Sequence, residues 1–117
     1  MQPTPAASAV LACLADPTRA ALLNTFTERG EVTASTLAAL VPVSRQAIVK
    51  HLHLLERAGL VSSRRLGRER RYRAESVPLR ATADWLIATA DRWDTQLSLL
   101  TRAVEANPDP PAPHHRP

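Results

Sequence analysis

Apolar residues recur along most of this chain at intervals of three or four positions, which is the spacing of one face of an α-helix. Together with the start and stop signals at the ends of the periodic segments, this pattern predicts five helices. Their predicted bounds, in chain order, are Ala6–Leu14, Pro17–Arg29, Ala34–Leu40, Arg45–Ala58 and Pro78–Ala106. Residues 1–5 precede the first periodic segment, and we expect them to fray.

Short polar residues mark where several of these helices begin. Asp16, Thr33 and Ser44 have side chains that accept hydrogen bonds from the free N–H groups of a first helical turn. Gly59 stands after the fourth helix, where a helix commonly ends in a left-handed residue. Only a short turn separates the third and fourth helices, and two helices joined in this way form a helix-turn-helix.

The pattern changes after the fourth helix and there predicts strands. Leu60–Leu66 and Arg70–Ala74 flank Gly67-Arg68 and together indicate a β-hairpin, while Glu31-Val32 can form only a very short strand. A hairpin that directly follows a helix-turn-helix is a wing. The predicted fold class is therefore mainly α, an α+β winged helix with five helices and a two-stranded hairpin wing.

The length of the chain, 117 residues, suits one domain with a modest core. We expect that domain to cover residues 1–106 and the proline-rich tail 107–117 to be disordered. No apolar run approaches the roughly 20 residues that span a bilayer. The N-terminus lacks the features of a signal peptide, and a single cysteine forms no disulfide within the chain. These features predict a cytoplasmic protein.

Positive charge is concentrated between Ser44 and Arg73. The whole chain has a net charge of +4, but this segment alone holds nine arginine or lysine residues against two glutamates, a net charge of +7. Such asymmetry is typical of a face that binds a polyanion. A solvated basic surface without a partner is the alternative.

The predicted fourth helix carries two different stripes. One is apolar and must pack against the rest of the domain. The other holds groups that read DNA, because arginine can bind guanine and glutamine can bind adenine in the major groove, while lysine and serine suit phosphates. Its predicted DNA-binding residues are Ser44, Arg45, Gln46, Val49, Lys50 and His53. An ordinary solvated helix face is the alternative. His51 lies beside the apolar stripe and is predicted to be a packed or hydrogen-bonded structural residue.

The predicted wing is rich in arginine, and four of its residues are predicted to bind DNA: Arg64, Arg65, Arg68 and Arg70. Arg68 at the tip is the best candidate to enter the minor groove, where narrow sequences attract arginine. The others are expected to hold phosphates. Alternation along the strands predicts that Arg65 and Arg71 have different surroundings from Arg64, Arg68 and Arg70.

The last predicted helix has an apolar seam whose members recur with alternating spacings of four and three, as in a coiled coil. The seam consists of Leu79, Ala83, Leu86, Ala90, Trp93, Leu97, Leu100 and Val104. We expect it to pack on the first helix and on a second copy of the chain, which makes the protein a homodimer. The predicted dimer contacts are Val10, Leu14, Leu86, Trp93, Leu97 and Leu100. Packing within one chain is the alternative.

Catalytic and metal-binding motifs find little support. No motif sets up a Ser-His-Asp or Cys-His arrangement, and no glycine-rich phosphate loop occurs. Cys13 is expected to be a small core residue, and His114-His115 lie in the proline-rich tail. We therefore expect no enzymatic activity, no metal site and no cofactor.

Four segments carry a resemblance to a known family. Leu14–Leu23, Val43–Leu52, Glu56–Val61 and Gly67–Arg73 closely resemble the ArsR/SmtB family of bacterial repressors. The resemblance covers roughly residues 10–105. It implies a dimer built from the first and last helices, an inverted-repeat operator in double-stranded DNA, and repression relieved by an inducer. The base-reading positions of the family fall on Ser44, Arg45, Gln46 and Lys50.

The chain departs from the metal-sensing members of that family. Where they carry cysteines at the start of the third helix, Thr33, Ala34 and Ser35 stand here. On the last helix Asp84 remains, but no histidine lies between His53 and His114. The resemblance is therefore to a branch without those ligands. A winged-helix module that binds proteins rather than DNA is the competing hypothesis. RNA binding is weakened by the lack of exposed aromatic residues.

Overall fold

The structure, a computed structural model, describes residues 2–106 and contains five helices and three strands in that range. Their bounds are α1 Pro5–Leu14, α2 Pro17–Arg29, β1 Val32–Thr33, α3 Ala34–Leu40, α4 Arg45–Arg57, β2 Val61–Leu66, β3 Glu69–Ala74 and α5 Val77–Ala106. The predicted winged-helix fold is confirmed, and each predicted boundary lies within one residue of the observed one. The tail 107–117, predicted to be disordered, lies outside the described residues.

Side-chain caps determine where the helices begin. The Oγ1 atom of Thr4 accepts a hydrogen bond of 3.1 Å from the N–H of Ala7, and Pro5 occupies the first turn. The expectation that residues 1–5 fray is therefore wrong for Pro5, which is helical because Thr4 caps it. The same kind of cap, as predicted, is formed by Asp16, Thr33 and Ser44.

The sheet has three antiparallel strands in the order β1-β3-β2, so the two-stranded wing of the prediction gains a third strand. β1 pairs with β3 at only two positions, Val32 with Tyr72 and Thr33 with Arg71. A strand of two residues is too short for its sequence to indicate which other strand it pairs with. The pairing depends on Val32 and Tyr72, which are both buried in the core.

One hydrophobic core joins the four shorter helices to the base of the sheet. Its fully buried side chains come from α1, α2, α3, α4 and the residue that precedes β2, and the largest are Val10, Leu22, Leu37, Ile48, Leu52, Leu55 and Leu60. The predicted apolar stripe of α4 supplies three of them. Val10 was expected at a dimer contact, but its side chain is fully buried within the single chain and is not available to a partner.

The described residues divide into two compact units, residues 2–85 and residues 86–106. The described part of the second unit, residues 86–106, is the C-terminal part of α5. Its apolar side chains are exposed, with Trp93 69%, Leu97 61% and Leu100 62% accessible. No single helix among residues 2–106 is long and apolar enough to cross a membrane, although α1 and α2, bent by 93°, pass that test as a pair.

Gly59 is the residue at which the chain turns from α4 into β2, and we expect a side chain there to destabilise the fold. Its φ is +77°, and a Cβ atom added there would lie 3.1 Å from Cγ of Pro78. Left-handed backbone costs an L-residue about 1–2 kcal/mol, so Gly59→Ala should lower the free energy of unfolding by at least that amount in urea titrations.

Gly67→Ala is the matched control, because Gly67 also has a positive φ, +66°, but nothing lies within 4 Å of an added Cβ. Gly59→Ala should therefore destabilise the protein more than Gly67→Ala does. Equal losses in the two variants would show that Pro78 moves aside at no cost.

Candidate nucleic-acid interface

The exposed face of α4 is the first part of the candidate interface. The side chains of Ile48, Leu52 and Leu55 anchor the opposite face of the helix in the core. All six predicted DNA-binding residues of this helix and its cap are exposed: Ser44, Arg45, Gln46, Val49, Lys50 and His53. The structure therefore brings them together on one accessible surface, which we call the α4 face.

The N-terminal end of the α4 face is held in place by two polar contacts. Ser44 Oγ accepts a hydrogen bond of 3.1 Å from the N–H of Ala47. Because a hydroxyl also donates, Ser44 keeps one hydrogen for an anion near the positive end of the helix dipole. Arg45 donates from Nε to Oγ of Ser35 on α3, at 3.3 Å. That contact orients the guanidinium while its terminal nitrogens stay exposed.

His51, on the half-buried side of α4, has a structural contact, as predicted. Arg19 donates from Nη1 to Nδ1 of His51 at 3.3 Å and from Nε to the carbonyl oxygen of Cys13 at 3.2 Å. The backbone N–H of Arg19 in turn donates to Asp16 and holds the pKa of that carboxyl below its usual value. Arg19 thus ties α4 to α1 and α2.

The register of the hairpin decides which arginines share a face. Arg65 of β2 lies opposite Arg70 of β3, and Arg64 lies opposite Arg71. Directly opposed residues of antiparallel strands share a face, so the predicted grouping of Arg64 with Arg70 is wrong. Across a two-residue turn, an odd-numbered residue of one strand lies opposite an even-numbered residue of the other. The prediction assumed instead that even-numbered residues of both strands share a face.

One face of the sheet carries three ion pairs, and we call it the paired face. Arg64 donates to Glu31 from both Nε and Nη2 at 3.0 Å, Arg71 pairs with Glu69 at 3.2 Å, and Arg73 pairs with Glu75 at 3.2 Å. The Arg64 guanidinium holds the pKa of Glu31 below its usual value. An open cleft of about 410 Å³ on this face is lined by Glu31, Ser62, Ser63, Arg64, Arg71 and Arg73.

Three wing arginines have no carboxylate partner among the described residues, and we call them the open arginines: Arg65, Arg68 and Arg70. Arg70 donates from Nη1 to Ser63 Oγ at 2.9 Å, and Ser63 donates to Glu56 of α4 at 2.8 Å. This chain of hydrogen bonds links one open arginine to α4.

A buried tyrosine lies near both parts of the interface. Burial raises the pKa of Tyr72, and Glu56 raises it further, whereas Arg70 and Arg45 act in the opposite direction. Arg70 belongs to the wing and Arg45 to the start of α4. Arg70 and Arg45 therefore both lie near this ring.

Acidic residues divide the wing into two faces, and they were not among the predicted site residues. Glu69 and Arg71 are two positions apart on one strand and must share a face, so that ion pair could have been predicted. Glu31 gave no such signal, because its partner Arg64 is distant in sequence and the two meet only across the sheet.

The described residues offer little for a metal. Among residues 2–106, no three His, Cys, Asp or Glu side chains come together. Cys13 is buried and packs in the core. Thr33, at the start of α3, uses its hydroxyl oxygen as the cap of that helix.

Comparison with known proteins agrees with this geometry. Residues 14–64 match the family model of a helix-turn-helix domain. The chain is 38% identical over 78 residues to the HTH-type transcriptional regulator YuzN of Bacillus subtilis, and covers 85% of that protein and 62% of its own length. It is 27% identical over 88 residues to the transcriptional repressor SdpR of Bacillus subtilis, covering 97% of that protein and 75% of its own length.

A solved structure resembles the chain along most of its length. The ArsR-like transcriptional regulator from Rhodococcus sp. RHA1 is 43% identical, and the two superpose with a TM-score of 0.80 over 86% of this chain and 92% of that one. The relatives named here are transcriptional regulators, which are not enzymes. The fold, the exposed α4 face beside a basic wing, and these similarities lead to one conclusion: the chain belongs to the ArsR family of winged helix-turn-helix transcriptional regulators.

Proposed function

We propose that this protein is a transcriptional repressor that binds an inverted-repeat operator in double-stranded DNA as a homodimer, and that it acts in the cytoplasm. The observation that carries the proposal is the α4 face, which is polar and exposed and lies opposite a fully buried stripe. One open arginine, Arg70, is linked to α4 through Ser63 and Glu56. A helix held in this way can enter the major groove with its N-terminal residues facing the bases.

The residues of the α4 face have separate roles in this proposal. Arg45 and Gln46 read base edges, since each can make two hydrogen bonds to one purine. Ser44 and Lys50 bind phosphates and so fix the register of the helix on the duplex. Val49, which is 41% exposed, suits the methyl group of thymine. His53, on the same α4 face, contacts the sugar-phosphate backbone of the DNA.

The wing contributes through the open arginines. Arg68, at the turn, enters the minor groove, while Arg65 and Arg70 bind phosphates. Arg64 was predicted as a fourth contact, but both of its hydrogen bonds are made to Glu31. We therefore leave Arg64 out of the set that touches DNA.

Two copies are needed because one recognition helix covers only a few base pairs, too few for useful selectivity against a genome. Two helices about 34 Å apart meet successive major grooves on one side of the duplex. The second unit has an exposed apolar seam. In the proposed dimer this seam, together with half-buried Leu14 of α1, holds the two recognition helices at that distance. The proposed contacts are Leu14, Leu86, Trp93, Leu97 and Leu100.

Base reading can be tested on operators recovered by selecting the fragments of the native genome that the protein binds. Arg45→Ala and Gln46→Ala should each lose about 1–3 kcal/mol of discrimination at a defined base pair. Arg57→Ala removes a cation from the far end of the same helix and should leave discrimination intact. Failure to recover any fragment would sink the proposal and favour a protein-binding module.

The division of the wing predicts a difference in salt dependence. Arg68→Ala should flatten the plot of log affinity against log salt by about 0.9, the contribution of one cation that releases counterions from DNA. Arg73→Ala should flatten it less, because Glu75 already neutralises Arg73 on the paired face. The same slope in both variants would mean that the two faces of the wing are equally close to DNA.

The dimer can be tested with substitutions on opposite sides of α5. Leu97→Glu combined with Leu100→Glu places charge in the proposed seam, where burial without a partner is unfavourable, and should give monomers in sedimentation at micromolar concentration. Leu99→Glu is the matched control, because Leu99 is also exposed, at 52%, but lies off the seam. Circular dichroism should report folded chains in both cases. A wild-type monomer that binds one half-site tightly would overturn the dimer.

A further inference from the structure

The ion pair between Glu31 and Arg64 spans the full width of the sheet. Glu31 immediately precedes β1, Arg64 lies in the middle of β2, and β3 runs between them. Arg71 of β3 lies opposite both Thr33 of β1 and Arg64 of β2. Neighbouring strands are about 4.8 Å apart, so the pair connects two strands that share no backbone hydrogen bonds.

The geometry of this pair is more restrictive than that of a single contact. Nε and Nη2 of Arg64 bind the two carboxylate oxygens of Glu31 separately, each at 3.0 Å. Two parallel bonds between a planar guanidinium and a carboxylate fix orientation as well as distance. Lysine, with a single ammonium group, cannot reproduce this arrangement.

Few other side-chain contacts hold the hairpin at this level. Every residue from 64 to 70 is exposed, and β1 pairs with β3 at only two positions. On the other face, the hydrogen bonds from Arg70 to Ser63 and from Ser63 to Glu56 attach the hairpin to α4. The Glu31–Arg64 pair is the corresponding attachment on the paired face. Beyond these two attachments the tip of the wing projects into solvent.

We propose that Glu31 is a positioning residue for the wing: through Arg64 it fixes the direction of the hairpin and so strengthens the contact of Arg68 with DNA without touching DNA itself. This inference rests on the proposed DNA-binding function. Removal of Glu31 is then expected to weaken DNA binding. A simple count of charges predicts the opposite, because removing a carboxylate from a DNA-binding protein ordinarily strengthens its attraction to phosphates.

The competing interpretation makes Glu31 an inhibitor that occupies a phosphate-binding arginine. Under that interpretation Glu31→Gln releases Arg64, tightens DNA binding and steepens its salt dependence. The two interpretations therefore predict opposite signs. The position of Arg64 favours a positioning role, because Arg64 lies on the paired face with Arg71, whereas Arg65 and Arg70 lie on the face that is linked to α4.

The first test compares Glu31→Gln with Glu69→Gln. Both remove one negative charge from the paired face, but Glu69 pairs with Arg71 within one strand and connects nothing across the sheet. Glu31→Gln should bind the selected operator about two- to fivefold more weakly than Glu69→Gln, the scale expected for one exposed ion pair. Equal or tighter binding by Glu31→Gln would overturn the proposal.

Arg64→Lys supplies a test at constant charge. It should weaken binding by a similar factor with an unchanged salt slope, because lysine keeps the charge but loses the two-bond geometry. In a background that carries Arg68→Ala, the difference in affinity between Glu31→Gln and Glu69→Gln should shrink, since the main contact through which Glu31 acts is gone. A lysine variant with wild-type affinity, or a difference that is undiminished without Arg68, would contradict the proposal.

A measurement on the free protein separates this inference from the proposed function. NMR order parameters of the backbone amides at residues 65–70 should fall in Glu31→Gln and Arg64→Lys but not in Glu69→Gln. Unchanged order in the first two variants would overturn the positioning role even if the protein binds DNA. Loss of order in a protein that binds no operator would instead refute only the proposed function.

Discussion

The burial of one stripe of α4 is the constraint on which the rest of the structure depends. Ile48, Leu52 and Leu55 are inaccessible to solvent, and burying such side chains contributes about 1.5–3 kcal/mol each relative to leaving them exposed. Their packing fixes the rotation of the helix about its own axis. The opposite stripe must then face outward, and Arg19 adds a polar tie through His51 on the flank.

Charge in the wing is sorted by face as well as accumulated. The hairpin holds six arginines, three of which meet glutamates on the paired face while the open arginines do not. The net charge of +7 between Ser44 and Arg73 therefore overstates the basic charge that faces outward without a partner. The pairing also leaves the unpaired positive charge of the hairpin mainly on the other face of the sheet, which Ser63 and Glu56 link to α4.

The sequence was sufficient for most of the fold because its signals are local. A cap such as Ser44, a terminating Gly59 and the helical spacing of apolar residues each act within a few positions, and the observed helix boundaries follow them closely. The contacts that it missed join distant parts of the chain. Neither the pairing of Val32 with Tyr72 nor the reach of Glu31 to Arg64 leaves a periodic trace. Val10 was misassigned because an apolar residue at helical spacing looks the same whether it packs inside one chain or against a second.

The exposed apolar side of residues 86–106 has a consequence for how the protein responds to its own abundance. None of the apolar side chains in this stretch is buried within the single chain, and most of the stability of a helix in a protein comes from packing its apolar face. Association with a second copy would then supply both order and affinity, so that the two are linked by mass action. Occupancy of a two-part operator would rise more steeply than in proportion to the amount of protein. In the proposed dimeric repressor, the dissociation constant of the dimer sets the protein concentration above which the operator is occupied.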